Sequence, residues 1–94
     1  MSISDNIQSG KYENKMVHPN KRDIPNVESY KEATKEYRLE SKRLINLFKS
    51  DALEELGISN HPKGDKLFEL CLGNGGGYYE IWNLMQEWSE LLTD

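Results

Sequence analysis

Residues 60–92, NHPKGDKLFELCLGNGGGYYEIWNLMQEWSELL, predict two short helices joined by a glycine-rich turn. Apolar side chains recur at helical spacing on both sides of residues 73–77, which contain four glycines. The second helix, expected over residues 78–92, has an apolar face that includes both tryptophans. So broad a face needs more than one neighbour, and we expect the rest of the chain to pack on this hairpin.

A long charged helix is predicted before the hairpin. It starts near Asn26 or Ser29, because Ser29 and Glu32 have the spacing of a capping box. Apolar side chains at intervals of three and four residues give it one apolar face. They are Tyr30, Ala33, Tyr37, Leu44 and Phe48.

Two charged stripes cover the other faces of this helix. Lysines and arginines form a basic stripe, either a solvated surface or a docking surface for an acidic partner, and glutamates fill a third sector. The basic stripe comprises Lys31, Lys35, Arg38, Lys42 and Lys49, and the acidic sector comprises Glu28, Glu32, Glu36 and Glu40.

The ends of the predicted helices are marked by turn-forming residues. We expect an interruption at Ser50 and Asp51, a short continuation, and a stop at Gly57, which can adopt a left-handed conformation. The next helix is expected to begin at Asn60 or His61, with Pro62 in its first position.

Residues 1–25 are predicted to form an extended, flexible N-terminal arm, and residues 26–94 a small helical domain. The arm is rich in polar residues, and Pro19 and Pro25 favour extended backbone before them. The predicted fold class is therefore all-α: a long charged amphipathic helix packed on a short helical hairpin and preceded by an extended arm.

The composition indicates a small protein of a reducing compartment. The 94 residues have a net charge of −4, which argues against non-specific coating of DNA. Residues 1–50 carry ten basic and seven acidic side chains, whereas residues 51–94 carry two and nine. Cys71 is the single cysteine and lies among apolar residues, which predicts a buried thiol. With neither a signal peptide nor an apolar run long enough to span a membrane, we expect a cytoplasmic protein.

No motif in the sequence indicates catalysis, a metal or a cofactor, so the prediction is a protein that is not an enzyme. Residues 73–77 precede a helix N-terminus, where backbone amides can hold a phosphate, but they match no phosphate-binding motif. His61 and Asp65 lie four residues apart, without the pattern of a zinc site, and a turn role is favoured for His61.

Three blocks of the chain resemble a group of small uncharacterised proteins of tailed bacteriophages. Residues 12–19, YENKMVHP, look like the Tyr-x-Asn-Lys-x-x-x-Pro opening of that group. Residues 48–57 and the His-Pro-Lys-x-Asp-Lys block of residues 61–66 are similar to its later blocks. The group tends to have a Gly-His turn where this chain has Gly73 and Asn74, and alanine at Gly64. The resemblance implies a phage source and carries no established activity.

The leading functional prediction is a non-enzymatic phage accessory protein that binds and modulates a protein of the bacterial host. One alternative is a nucleic-acid-binding protein that uses the helix stripe and the arm, where Tyr12 lies near the cations Lys15, Lys21 and Arg22. A less favoured alternative is a nucleotide- or phosphate-binding protein that uses the glycine turn. A homodimer is also open, because the hairpin carries more aromatic surface than so small a core encloses. The candidate partner contacts are Tyr12, Asn14, Lys15, Pro19, Lys35, Arg38 and Lys42.

Overall fold

Four helices account for most of the computed structural model, which describes residues 2–92. They are α1 (Ile3–Gln8), α2 (Val27–Glu55), α3 (Gly64–Asn74) and α4 (Tyr78–Ser89), and no strand occurs in this described range. The molecule measures 55 × 25 × 20 Å, because α2 alone is about 43 Å long at 1.5 Å per residue. The predicted all-α class, with a long helix packed against shorter ones, is confirmed.

The start of α2 is at the first of the two predicted positions, whereas the predicted capping box of Ser29 and Glu32 is wrong, because Ser29 lies inside the first turn. The Asn26 side chain accepts hydrogen bonds from the backbone amides of Glu28 and Ser29, which caps the first turn. At the other end Gly57 has a φ of 73°. The Gly57 amide donates to the Glu54 carbonyl and the Ile58 amide to the Leu53 carbonyl, the pattern of a Schellman motif.

The predicted interruption of α2 at Ser50 and Asp51 is wrong, because the helix continues through both residues. The Asp51 carboxylate accepts a hydrogen bond of 2.8 Å from the Tyr12 hydroxyl and lies 3.0 Å from Lys11 Nζ. Its oxygen is therefore used in tertiary contacts instead of capping a new helix.

The boundaries of the hairpin differ from the prediction by a few residues. The helix α3 begins at Gly64 instead of near Pro62, since residues 59–63 form turns in which His61 Nδ1 accepts from the Lys63 amide. It also extends through Gly73 to Asn74. The helix α4 begins at Tyr78, as predicted, but ends at Ser89.

The N-terminal segment differs from the expected extended arm over its first part. Residues 3–8 form α1, whose first turn is capped by the Ser2 side chain. Ile3 and Tyr12 are each only 1% exposed, and the Ile3 amide donates to Glu55 Oε1. Contacts with α2 and α4 thus order a segment whose own apolar pattern is too short to predict a helix.

The core lies where the C-terminal part of α2 meets the hairpin and the N-terminal segment. Phe48 and Phe68 pack at a centroid distance of 5.8 Å, and Cys71 is fully buried, which raises the pKa of its thiol. The N-terminal part of α2, residues 27–43, supplies no buried residue. Within residues 2–92, no helix combines the length and apolar character that a bilayer crossing requires. The core cluster comprises Ile3, Tyr12, Phe48, Ala52, Leu53, Ile58, Leu67, Phe68, Cys71, Ile81, Trp82 and Met85.

Candidate binding groove

A basic groove runs along the N-terminal part of α2, on a side that the hairpin does not cover. Its volume is about 530 Å³. At 100° per residue, its four cations on α2 lie within about 60° of arc, and they extend over about 17 Å of helix. The lining residues, which we call the basic groove, are Lys21, Tyr30, Lys31, Thr34, Lys35, Arg38, Leu39 and Lys42.

No cation of the basic groove forms a salt bridge within the described part of the chain. The three salt bridges found there join Lys11 to Asp51, Arg43 to Glu40 and Lys49 to Asp65. None involves any of the five cations that line the groove, and all five are exposed. A concave surface lined by charges of one sign concentrates its field and attracts groups of the opposite sign.

The loop between α1 and α2 forms one wall of the groove. Asn14 Nδ2 donates to the Tyr37 carbonyl at 3.1 Å and to Ser41 Oγ at 2.9 Å, which fixes the loop on α2. The His18 ring stands edge-on to Tyr37, with a centroid distance of 4.9 Å. These contacts bring Lys21 to α2, where its Nζ lies 5.7 Å from the centroid of the Tyr30 ring.

Apolar surface is available within the groove as well as charge. Leu39 is 58% exposed, although it lies in the middle of α2. The Tyr30 ring is partly buried under the Lys21 side chain. The groove can therefore bind a partner that presents carboxylates beside an apolar side chain.

Tyr12 was predicted as a partner contact, and the structure corrects this assignment. Its side chain is buried, its hydroxyl accepts from Asn6 Nδ2 at 3.1 Å, and it donates to Asp51. Burial, followed by the hydrogen bond to the Asp51 carboxylate, raises the pKa of the Tyr12 phenol well above its usual value. A hydroxyl with both partners inside the protein is not available to another molecule.

The other predicted contacts divide between the groove and the loop. Lys35, Arg38 and Lys42 are brought together in the basic groove. Asn14 is partly buried and holds the loop on α2, and Pro19 is buried. Both side chains therefore contact other parts of this protein. Lys15 is exposed but lines a separate depression of about 430 Å³, with side chains such as Arg43.

Several groove residues were missing from the predicted set of contacts. Lys31 belonged to the predicted stripe, so its spacing on the helix could have included it. Lys21 belonged to the basic residues of the predicted arm, but its place beside α2 depends on how the loop crosses the helix, which no local pattern contains. Leu39 lies outside the apolar face of the helix, and a lone exposed leucine has no pattern in the sequence.

One amide of the glycine turn before α4 already has a partner within the chain. The Gly76 amide, which precedes the N-cap residue Gly77, donates to Glu80 Oε2 at 2.8 Å, so a carboxylate of the same chain lies beside the helix N-terminus. A phosphate bound at this turn would lie close to the negative charge of that carboxylate.

The two histidines make separate local contacts. His61 Nδ1 accepts from the Lys63 amide, in agreement with the turn role favoured for it, and His18 Nδ1 lies 3.0 Å from the Pro19 carbonyl. Within residues 2–92, no group of three or more histidine, cysteine or acidic side chains is arranged to hold a metal ion.

Comparison with known proteins gives a family without a described function. The model of the family described as "Family of unknown function (DUF8546)" matches residues 1–93, so the chain belongs to this family. Neither the comparison with curated proteins nor that with solved structures finds a match.

Proposed function

We propose that this member of the DUF8546 family is a non-enzymatic accessory protein of a tailed bacteriophage. In this proposal it acts in the cytoplasm of the infected bacterium, where it binds and modulates a host protein through the basic groove. The observation that carries the binding role is the set of five exposed cations in one groove, none of which has a salt bridge in the described residues. The phage source rests on the resemblance of residues 12–19, 48–57 and 61–66.

The surroundings of the groove favour a protein over a nucleic acid. A row of glutamates, Glu28, Glu32 and Glu36, follows the next face of α2 and would repel a phosphate backbone that extended beyond the groove. The exposed Leu39 adds an apolar contact, which an acidic amphipathic helix can match and a sugar–phosphate backbone cannot.

Charge reversal in the groove tests the proposal directly. We expect the double variant Lys35→Glu, Lys42→Glu to bind a fluorescent acidic amphipathic peptide about tenfold more weakly, at about 0.7 kcal/mol for each reversed charge. Fluorescence anisotropy measures the affinity. The matched control is Lys63→Glu, Lys66→Glu, which makes the same charge change at exposed lysines near the start of α3 and should leave the affinity within about twofold.

The same variants can be tested on host proteins. A host protein captured from bacterial lysate after nuclease treatment should be retained by the wild type and by the Lys63, Lys66 control, and lost from the Lys35, Lys42 variant. Equal capture by both variants would contradict a role for the groove. Tighter binding of a single-stranded oligonucleotide than of the peptide, with an affinity that falls steeply with salt, would favour a nucleic-acid-binding protein instead.

A further inference from the structure

We propose that two copies of this chain pair about a twofold axis, with the outer face of α4 of each copy lying in the basic groove of the other. The outer face of α4 is the set of exposed side chains on one side of this helix: Tyr79, Glu80, Asn83, Gln86 and Glu87. This inference goes beyond the proposed function, because it concerns what covers the groove when no other protein is bound.

The N-terminal part of α2 provides the first reason for a second copy. Over residues 27–43 the helix contacts the preceding loop, while the buried residues contributed by α2 all come after residue 43. Helices in proteins gain most of their stability from packing. A helix that extends beyond its own core, with Leu39 58% exposed, therefore has an uncovered surface on which another helix can pack.

The charges of the two surfaces are opposite in sign and equal in spacing. Lys35 and Lys42 are seven residues apart on α2, and Glu80 and Glu87 are seven residues apart on α4. Seven residues correspond to about 10.5 Å along either helix, so two such helices lying side by side bring both pairs together. Each surface also carries one exposed apolar side chain, Leu39 on α2 and Tyr79 on α4, the latter 48% exposed.

The shape of the molecule allows both contacts to form at once. The groove lies on the N-terminal part of α2, whereas α4 contacts the C-terminal part through the Tyr78 ring, 5.0 Å from that of Phe48, in a molecule 55 Å long. Two copies placed side by side in opposite directions therefore bring each groove to the other copy's α4. A twofold axis makes these contacts identical, as in most dimers of soluble proteins.

Light scattering on the purified protein tests the pairing. The wild type should have about twice the 10.9 kDa mass of one chain at low salt. Two variants, Lys35→Glu, Lys42→Glu and Glu80→Lys, Glu87→Lys, should each have the mass of one chain, because each places like charges opposite one another. An equimolar mixture of the two variants should again have the mass of a dimer, since both contacts in the mixed pair are complementary.

Several outcomes would overturn the pairing. They are a wild type that stays monomeric at high concentration, a single variant that stays dimeric, or a mixture that stays monomeric. Glu80 accepts a hydrogen bond from the Gly76 amide, so an alternative charge reversal of α4, Asn83→Lys, Glu87→Lys, keeps this bond and should also have the mass of one chain. Circular dichroism checks that each variant is folded. Light scattering is done on the purified protein alone, so a failure to form the dimer can be distinguished from a failure to bind the acidic peptide.

Discussion

At the scale of single residues, Tyr12 joins the N-terminal segment to the rest of the molecule. Its ring lies 5.1 Å from that of Phe48 and 5.8 Å from that of Tyr78, between centroids. Its carbonyl accepts a hydrogen bond of 2.8 Å from the Tyr78 hydroxyl, and its own hydroxyl links Asn6 to Asp51. One side chain thus connects α1, α2 and α4.

The contribution of this hydroxyl can be measured with Tyr12→Phe. The ring contacts remain, but the buried Asn6 amide loses its acceptor, so we expect the free energy of unfolding to fall by about 1–2 kcal/mol. The matched control is Tyr79→Phe, at a half-exposed tyrosine whose hydroxyl lies 3.5 Å from the Ser4 carbonyl oxygen. It should change stability by less than about 0.5 kcal/mol. Urea denaturation of both variants measures the difference, and equal effects would contradict the role given to Tyr12.

Single residues also show what the sequence could reveal about the site. Lys35, Arg38 and Lys42 were predicted together because helical spacing alone places them on one stripe. Tyr12 was misassigned because an aromatic residue near lysines in a polar segment resembles a binding arm. Its burial depends on contacts with residues 36 or more positions away, which no local pattern contains.

At the scale of elements, the ends of α2 and the start of α4 could be predicted because local chemistry determines them. Asn26 caps one end of α2, and Gly57 closes the other. The helix α1 could not be predicted, because a six-residue helix with so few apolar side chains forms only on contact with α2 and α4. The unbroken passage of α2 through Asp51 likewise depends on Lys11 and Tyr12, which lie far away in sequence.

Replacement of glycine by alanine should have opposite effects on stability at Gly57 and at Gly73, because only Gly57 has a left-handed conformation at the end of a helix. Gly57→Ala places a Cβ in a left-handed conformation and should destabilise the protein by about 1–2 kcal/mol. Gly73→Ala lies within α3, where a Cβ meets no atom within 4 Å, and should stabilise it by about 0.5–1 kcal/mol. Thermal unfolding gives both signs, and a shift in the same direction for both variants would contradict this interpretation.

At the scale of the whole molecule, α2 divides into two parts with different surroundings. From Leu44 onward its apolar residues pack in the interior, whereas residues 27–43 are covered only on the side of the loop. Local stability follows the amount of buried apolar contact, so the two parts of one helix should open with different free energies.

Hydrogen exchange should therefore show a gradient along α2. In a sample diluted until light scattering gives the mass of one chain, we expect amides of residues 31–43 to be about tenfold less protected than those of residues 48–55, a difference of about 1.4 kcal/mol. The variant Asn14→Ala should lower protection further in residues 31–43 alone, because the loop loses its hydrogen bonds to Tyr37 and Ser41. Asn83→Ala, at an exposed asparagine of α4, is the control. Uniform protection along the helix would argue against two separate parts.

The contacts of Ile3 and Tyr12 with α4 have a consequence for folding during translation. Ile3 and Tyr12 are synthesised before α2, whereas Tyr78, which contacts Tyr12, is synthesised 66 residues after it. Until then, the apolar side of α2 around Phe48 has no hairpin to cover it. The nascent chain therefore exposes the aromatic side of α2 until the hairpin has been synthesised, and the contacts of the N-terminal segment with α4 can form only after that point.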